Sequence, residues 1–299
     1  MFLATEFAVV GGSYAGLSAA LQLARARRQV LVIDAGQRRN RFVDDAGAAA
    51  HGFLGQDGRA PAAIAADARA QLLRYAGVRW IDGHADDAGL GRDGGLHLRV
   101  DGQPVRAARL ILATGVRDVL PEVPGLAERW GRSVFHCPYC HGHEAGERIG
   151  IVAASALAVH QALMLPDWAP TTLFLNGVEP PDPQQAAALA RRGARIEPVP
   201  IQRIDGVADV LLADGRRLPM TGLFTQPRVL PASPLAEQLG CAMAQGPMGP
   251  YVEVREGQAT GVPNVFACGD AARPAGNIAL AVADGAMAGF GAHRAAMGF

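Results

Sequence analysis

The sequence predicts an α/β chain of two parallel-sheet units, the second inserted into the first, and three observations predict it. A strand–turn–helix–strand pattern opens the chain, and the same plan returns after residue 147. A last strand and a long helix then resume the first unit. The 299 residues suit about two domains, and 49% hydrophobic against 19% charged residues excludes long-range disorder.

Each element follows from its residues. The apolar run 7–10 reads as a buried strand, 11–16 as a glycine-rich turn, and 17–27 carries helical spacing. The run 30–33 is the next buried strand and ends in Asp34. A loop-rich stretch, 38–58, holds Arg38, Arg39, Asn40 and Arg41. A helix is expected over 61–75, a strand over 78–85, a hairpin over 99–105, and a strand over 109–113 running into Thr114 and Gly115. The second unit starts near Val116. It offers a strand over 147–152, a turn over 153–158, a helix to Leu165, a strand over 172–175 and a helix over 184–192 that Gly193 caps. The Pro-rich piece 178–183 is a loop within it. Near Ala244 the first unit resumes, with a strand over 264–268, a turn at Gly269 and Asp270, and a closing helix over 278–297.

Composition removes whole classes of function. Basic and acidic residues balance at 28 each, so nothing draws the chain to nucleic acid or an anionic membrane. Every basic residue is Arg, which excludes Schiff-base chemistry and any phosphate-binding lysine. No apolar run reaches transmembrane length, and the start lacks the charged and apolar regions of a secretory signal. Four cysteines are too few for a disulfide scaffold. The expected compartment is the cytoplasm, where a close Cys pair means redox or metal chemistry.

Gly11, Gly12, Ser13, Tyr14, Ala15 and Gly16 match G-x-S-x-x-G, a variant of the dinucleotide fingerprint. The first Gly allows the tight turn, the small middle residue lets a pyrophosphate approach backbone N–H groups, and the last Gly lets helix and strand pack closely. Asp34, 23 residues after Gly11, stands where a carboxylate accepts hydrogen bonds from a ribose. Leu112-Ala113-Thr114-Gly115 and Phe266-Ala267-Cys268-Gly269-Asp270 supply two further motifs in order. With them the chain resembles the thioredoxin-reductase-like flavoproteins over nearly its full length. That resemblance implies two Rossmann-like, three-layer ββα dinucleotide-binding domains: an FAD-binding domain of residues 1–115 and 245–299, and a NAD(P)H-binding-like domain of residues 116–244. It further implies FAD as cofactor, with Asp270 on the ribityl chain, Ile278 and Ala279 under the flavin pyrimidine and Ala85 near the adenine. A homodimer is also implied.

His136-Cys137-Pro138-Tyr139-Cys140-His141-Gly142-His143 holds the chemistry. In such a pair one thiolate attacks a disulfide and its neighbour resolves the mixed disulfide. Imidazoles beside it can hold a proton near neutrality, favour the thiolate and accept or return the proton during transfer. The rival reading is a zinc site built from His136, Cys137, Cys140, His141 and His143; the flavin motifs and the lack of a second Cys/His cluster favour redox, so no metal is expected. The resemblance places Cys140 toward the flavin and Cys137 toward the substrate. Thioredoxin reductases place an acidic residue after the second Cys, whereas this chain has His141. Cys-Pro-Tyr-Cys-His instead looks like the small-molecule dithiol oxidases of that superfamily, such as those closing the disulfides of gliotoxin and holomycin, which makes His141 the candidate base. Cys241 and Cys268 are expected as buried small hydrophobes.

The second turn, Ala153-Ala154-Ser155-Ala156-Leu157-Ala158, has no Gly at the fingerprint positions, and 176–181 offers no arginine for a 2′-phosphate. Its NADPH site reads as degenerate, unless Arg191 or Arg192 supplies the charge. The leading expectation is a dithiol oxidase acting on a small molecule or peptide, with oxygen as acceptor. The alternatives are a disulfide reductase of thioredoxin or a small disulfide, fed by NADPH or another donor such as ferredoxin, and a non-catalytic flavin or metal redox sensor.

Overall fold

The computed structural model describes residues 3–91 and 94–299. Its first sheet is built around the strand Leu3–Val10, whose residues Phe7, Ala8 and Val9 are fully buried because both faces are covered. This strand pairs in parallel with Val30–Asp34 on one side and Gln103–Leu112 on the other, and Val78–Asp82 continues the sheet beyond Val30–Asp34. The far edge of Gln103–Leu112 carries two partners. Leu96–Val100 runs antiparallel to its first half, and Val265–Ala267 runs parallel to its second. The chain thus leaves this sheet after Leu112 and returns to it at Val265, about 150 residues later.

One face of the sheet is covered by the helices Tyr14–Arg25 and Ile278–Ala296. They pack closely because Gly285 and Gly289 present no side chain: a methyl at Gly289 would stand 2.7 Å from the Ala19 carbonyl oxygen, and one at Gly285 would overlap that of Ala15. Ser18 adds a hydrogen bond from its hydroxyl to the Val282 carbonyl, 2.7 Å. The other face packs Leu96, Leu98, Val100 and Leu110 against Leu235, Ala236, Leu239 and Cys241.

The second sheet is wholly parallel, in the order Arg195–Glu197, Thr171–Phe174, Ile149–Val152, Gly222–Phe224, Val134–Phe135. A small antiparallel sheet, Ile201–Asp205, Asp209–Leu212 and Arg217–Leu218, closes one face through Ile201, Ile204, Val210 and Leu212. The strands Val116–Val119 and Arg228–Pro231 link the two units as an antiparallel pair.

One expected element divides. In place of a single strand over 78–85 there are two, Val78–Asp82 and Ala85–Leu90. Gly83 makes the corner, where a methyl would overlap the Asp101 carboxylate that accepts the His84 N–H at 3.1 Å. The hairpin expected over 99–105 is present and turns at Asp101 (φ 47°) and Gly102 (φ 77°), the left-handed pair of a tight Asp-Gly turn. The short helix Arg41–Asp45 inside the loop-rich stretch has no periodic signal to announce it. Among the described residues no helix is long and apolar enough to cross a membrane.

Candidate active site

All the parallel strands of the first sheet end at one edge, and the sequence motifs gather there. Strand order reverses between Leu3–Val10 and Gln103–Leu112, the position where open α/β sheets bind ligands. Gly11 (φ 107°) turns there against Ala113: a methyl on it would overlap the Ala113 carbonyl oxygen. A methyl on Gly12 would fall 2.6 Å from Cβ of Asp34, and one on Gly16 would overlap the Gly11 carbonyl. Asp34 braces the turn from below, its Oδ1 accepting the N–H groups of Gly12 (3.1 Å) and Gly36 (3.2 Å).

Ser13 stands at the helix N-cap but makes no side-chain cap, so the first-turn N–H groups are left for another acceptor. Gly269 (φ 67°) brings the second motif onto the same helix, a methyl there meeting Ala15 Cβ at 2.8 Å. Glycine at 11, 16 and 269 keeps open a backbone-lined cradle at a helix N-terminus. These residues fit a pyrophosphate-bearing group such as FAD.

Ala113, Thr114 and Gly115 continue the strand past the turn, with Ala113 N–H donating to Val10 O at 2.8 Å. Tyr14 is buried, its hydroxyl donating to Pro61 O (3.0 Å) and accepting from Asn40 Nδ2 (3.1 Å). Ala85 begins its strand with its side chain in the first core. Ile278 and Ala279 open the closing helix, capped by Asn277 Oδ1 accepting from the Leu280 N–H at 2.9 Å. Asp270 is not free: Arg39 Nη1 donates to its Oδ2 at 2.9 Å, and the same guanidinium grips both oxygens of Asp118, at 2.6 and 3.1 Å.

Cys137 and Cys140 form a disulfide across the short helix Pro138–His141, with Cα atoms 5.3 Å apart. Cys137 caps that helix through its carbonyl, which accepts the N–H groups of Cys140 and His141 at 3.2 Å. The approach to the pair is fixed by Gln161, whose amide donates to His136 O at 2.8 Å. Tyr139 is largely exposed beside the disulfide and meets Trp168 edge-on at 5.6 Å. His51 Nε2 lies 3.5 Å from Glu144, joining the loop of the first unit to the segment after the cysteines.

Burial pushes His136 down to about 3, with the Arg39 charge adding and Asp270 opposing. Burial also pushes His141 down to about 4, against the pull of Glu144, while the ring stacks on Phe135 at 4.3 Å. Burial thus favours the neutral imidazole at His136 and His141. Cys241 and Cys268 are buried and free, as expected. Among the described residues no group of three or more His, Cys, Asp or Glu is placed to hold a metal ion.

The Gly-less second turn borders a cavity of about 290 Å³. Ala153, Ser155, Ala156 and Ala158 line it together with Glu179 and Asp182, the Asp182 carboxylate accepting the Gln185 N–H at 2.7 Å as the cap of the next helix. Arg192 is turned away, bound to Asp167 (2.6 Å) and Leu163 O (3.0 Å).

The model of the family described as pyridine nucleotide-disulphide oxidoreductase matches residues 5–288. The chain belongs to this family. Membership implies a bound flavin and a thioredoxin-reductase-like oxidoreductase. The chain is 32% identical to the thioredoxin reductase sirT of Leptosphaeria maculans, covering 97% of this chain and 94% of that one. It is 34% identical to the thioredoxin reductase tcpT of Claviceps purpurea, covering 94% and 91%. Among solved structures, an oxidoreductase from Agrobacterium tumefaciens is 53% identical with a TM-score of 0.94, covering 99% of both chains. HlmI is 32% identical with a TM-score of 0.89, covering 99% of this chain and 93% of that one.

Proposed function

We propose that the protein is an FAD-dependent dithiol oxidase, which closes a disulfide in a small molecule or peptide and delivers the electrons to oxygen. The observation that carries this reading is the asymmetry between the family's two nucleotide corners. The first is a glycine cradle at an uncapped helix N-terminus. The second has alanine at the corresponding positions and borders a cavity lined mostly by apolar residues, whose charged lining residues, Glu179 and Asp182, are both acidic and disfavour a phosphate. Electrons then enter through Cys137–Cys140 rather than from a nicotinamide.

FAD would lie along residues 11–16, Asp34, Ala85, 113–115, Asp270, Ile278 and Ala279 of the unit made by 1–115 and 245–299, and when bound it supplies the two-electron relay to oxygen. A substrate thiolate attacks Cys137 and releases the Cys140 thiolate. The second substrate thiol then attacks the mixed disulfide, leaving substrate disulfide and two protein thiols. His141 is neutral at working pH and so free to take the substrate proton. Its lowered basicity makes it a modest base, active mainly by position. The apolar residues exposed on the closing helix, Leu280, Met287 and Phe290, support a homodimer. The absence of a membrane-length helix among the described residues is in keeping with a cytoplasmic place.

The names of the fungal relatives favour a second reading, a disulfide reductase. Anaerobic stopped-flow absorbance separates the two. Excess dithiol should bleach the flavin and oxygen restore it, while NADPH leaves it oxidised; rapid, saturable bleaching by micromolar NADPH would establish the reductase instead. Cys140→Ser should remove the long-wavelength absorbance of a thiolate beside flavin, and Cys137→Ser should enhance it.

A further inference from the structure

The two units are joined by two strands, Val116–Val119 and Arg228–Pro231, which form a two-stranded sheet of their own, and Val229 also donates its N–H to Met248 O of the first unit at 2.8 Å. A two-stranded ribbon is a slender link. Val116 and Val229 bury it against its surroundings, and the Met248 bond ties one strand to the first unit. Its other strand, which carries Asp118, is held from the first unit's loop-rich stretch.

That stretch is tied down on its own side. Arg38 pairs with Asp44 at 2.7 Å, Asp44 Oδ1 accepts the Ala62 N–H at 2.7 Å, and Asn40 donates to the Tyr14 hydroxyl. It also reaches across. Phe42 packs onto the core of the inserted unit, and Gly131 admits it, since a methyl there would stand 2.7 Å from Phe42 Cβ. His51 approaches Glu144 at 3.5 Å. At the centre Arg39 holds Asp118, on the connecting strand, and Asp270, in the turn of the first unit. The Asp118 carboxylate is only 7% exposed, so the bidentate pair is shielded from water and salt.

We propose that residues 38–52 form a clasp, with Arg39 as its positioning residue, which holds the Cys137–Cys140 unit in one orientation on the flavin-binding unit. The clasp acts whichever electron acceptor the enzyme uses. Loss of the charge pair leaves a buried carboxylate without its partner and frees the connecting ribbon to open. Even a 1 Å displacement of a reacting group lowers a rate by about 100-fold.

The test uses the FAD-loaded enzyme and compares the parent with Arg39→Met and Asp118→Asn, the second leaving the Arg39–Asp270 contact in place. The chain contains no lysine, so trypsin cuts it only at arginine. Cleavage after Arg228, whose flanking residues neither substitution changes, reports opening of the ribbon. Both variants are expected to be cut there at least about tenfold faster, with flavin reduction by dithiothreitol slowed at least about tenfold and FAD content unchanged in Asp118→Asn. Should Arg39→Met not fold, Arg39→Lys replaces it, since lysine keeps the charge but cannot make the two-pronged pair. Cleavage within twofold of the parent in both variants overturns the clasp, whatever the dithiol rate. Faster cleavage in an enzyme whose parent no dithiol reduces upholds the clasp and sinks the oxidase reading.

Discussion

The two strand–turn–helix corners, at residues 10–17 and 152–159, share a plan and differ in one respect that governs chemistry. The first places glycine where backbone must pass within a methyl's width of backbone, at Gly11 and Gly16, and leads into a 12-residue helix with an open N-terminus. The second places alanine at the same points. It leads into a helix of only 7 residues, preceded by a bend in which Ser155 Oγ accepts the Leu157 N–H at 3.3 Å. The parallel sheet behind each corner is intact. A parallel sheet needs only buried apolar runs, whereas a phosphate needs exposed N–H groups, so the same scaffold can stand behind a glycine corner or an alanine one.

The comparison can be broken most sharply at its first member. Gly11→Ala combines overpacking against Ala113 with an unfavourable positive φ, together about 3 kcal/mol or more, so FAD retention should fall by roughly 100-fold or more. Flavin fluorescence released on dilution measures it, and unchanged retention would remove Gly11 from the cradle. On the disulfide side, His141→Ala should slow dithiol-driven flavin reduction by about 100-fold at pH 7. A substrate thiol titrates near 8.5, so the loss should shrink at pH 9, where solvent already yields thiolate. A pH-independent loss would mean that His141 only packs on Phe135.

The second corner can be sharpened by giving it what the first has. Ala153→Gly, Ala158→Gly and Glu179→Arg together should raise NADPH-driven bleaching about tenfold, one charge-assisted hydrogen bond being worth about 1.5–3 kcal/mol, with FAD retention untouched. No gain would show that the cavity is closed to nucleotides for another reason. The last test uses acid. His136 and His141 titrate at about 3 and about 4 in the fold, below the ordinary 6.5. The unfolded chain therefore binds protons first, so stability is full above about pH 6.5 and declines as pH falls toward 4. Thermal melts at pH 7 and pH 5 measure the decline, and His136→Phe should lessen it. An equal decline in that variant would assign it to other groups.

Much of this molecule was legible in its residues because the evidence is local. Glycine at 11 and 16 announces a turn, apolar runs announce buried strands, and two cysteines three apart announce a pair within bonding reach. The Gly-less second corner was equally plain, since a missing glycine is read at the position itself. The strand over 78–85 was not divided in advance, because the corner at Gly83 depends on Asp101, a residue brought to it by the hairpin.

The tertiary structure alone decided the electrostatics. Arg39 meets Asp118 across 79 positions and Asp270 across 231, pairings to which no spacing rule applies. The imidazoles beside the cysteines look like proton carriers in sequence, yet burial strips them of that charge. Most backbone geometry is set by a residue and its immediate neighbours, so the sequence determined the disulfide pair and, apart from the corner at Gly83, the main turns and strands. Charge is set by everything that excludes water from a group, and that was settled only when the two units closed on one another.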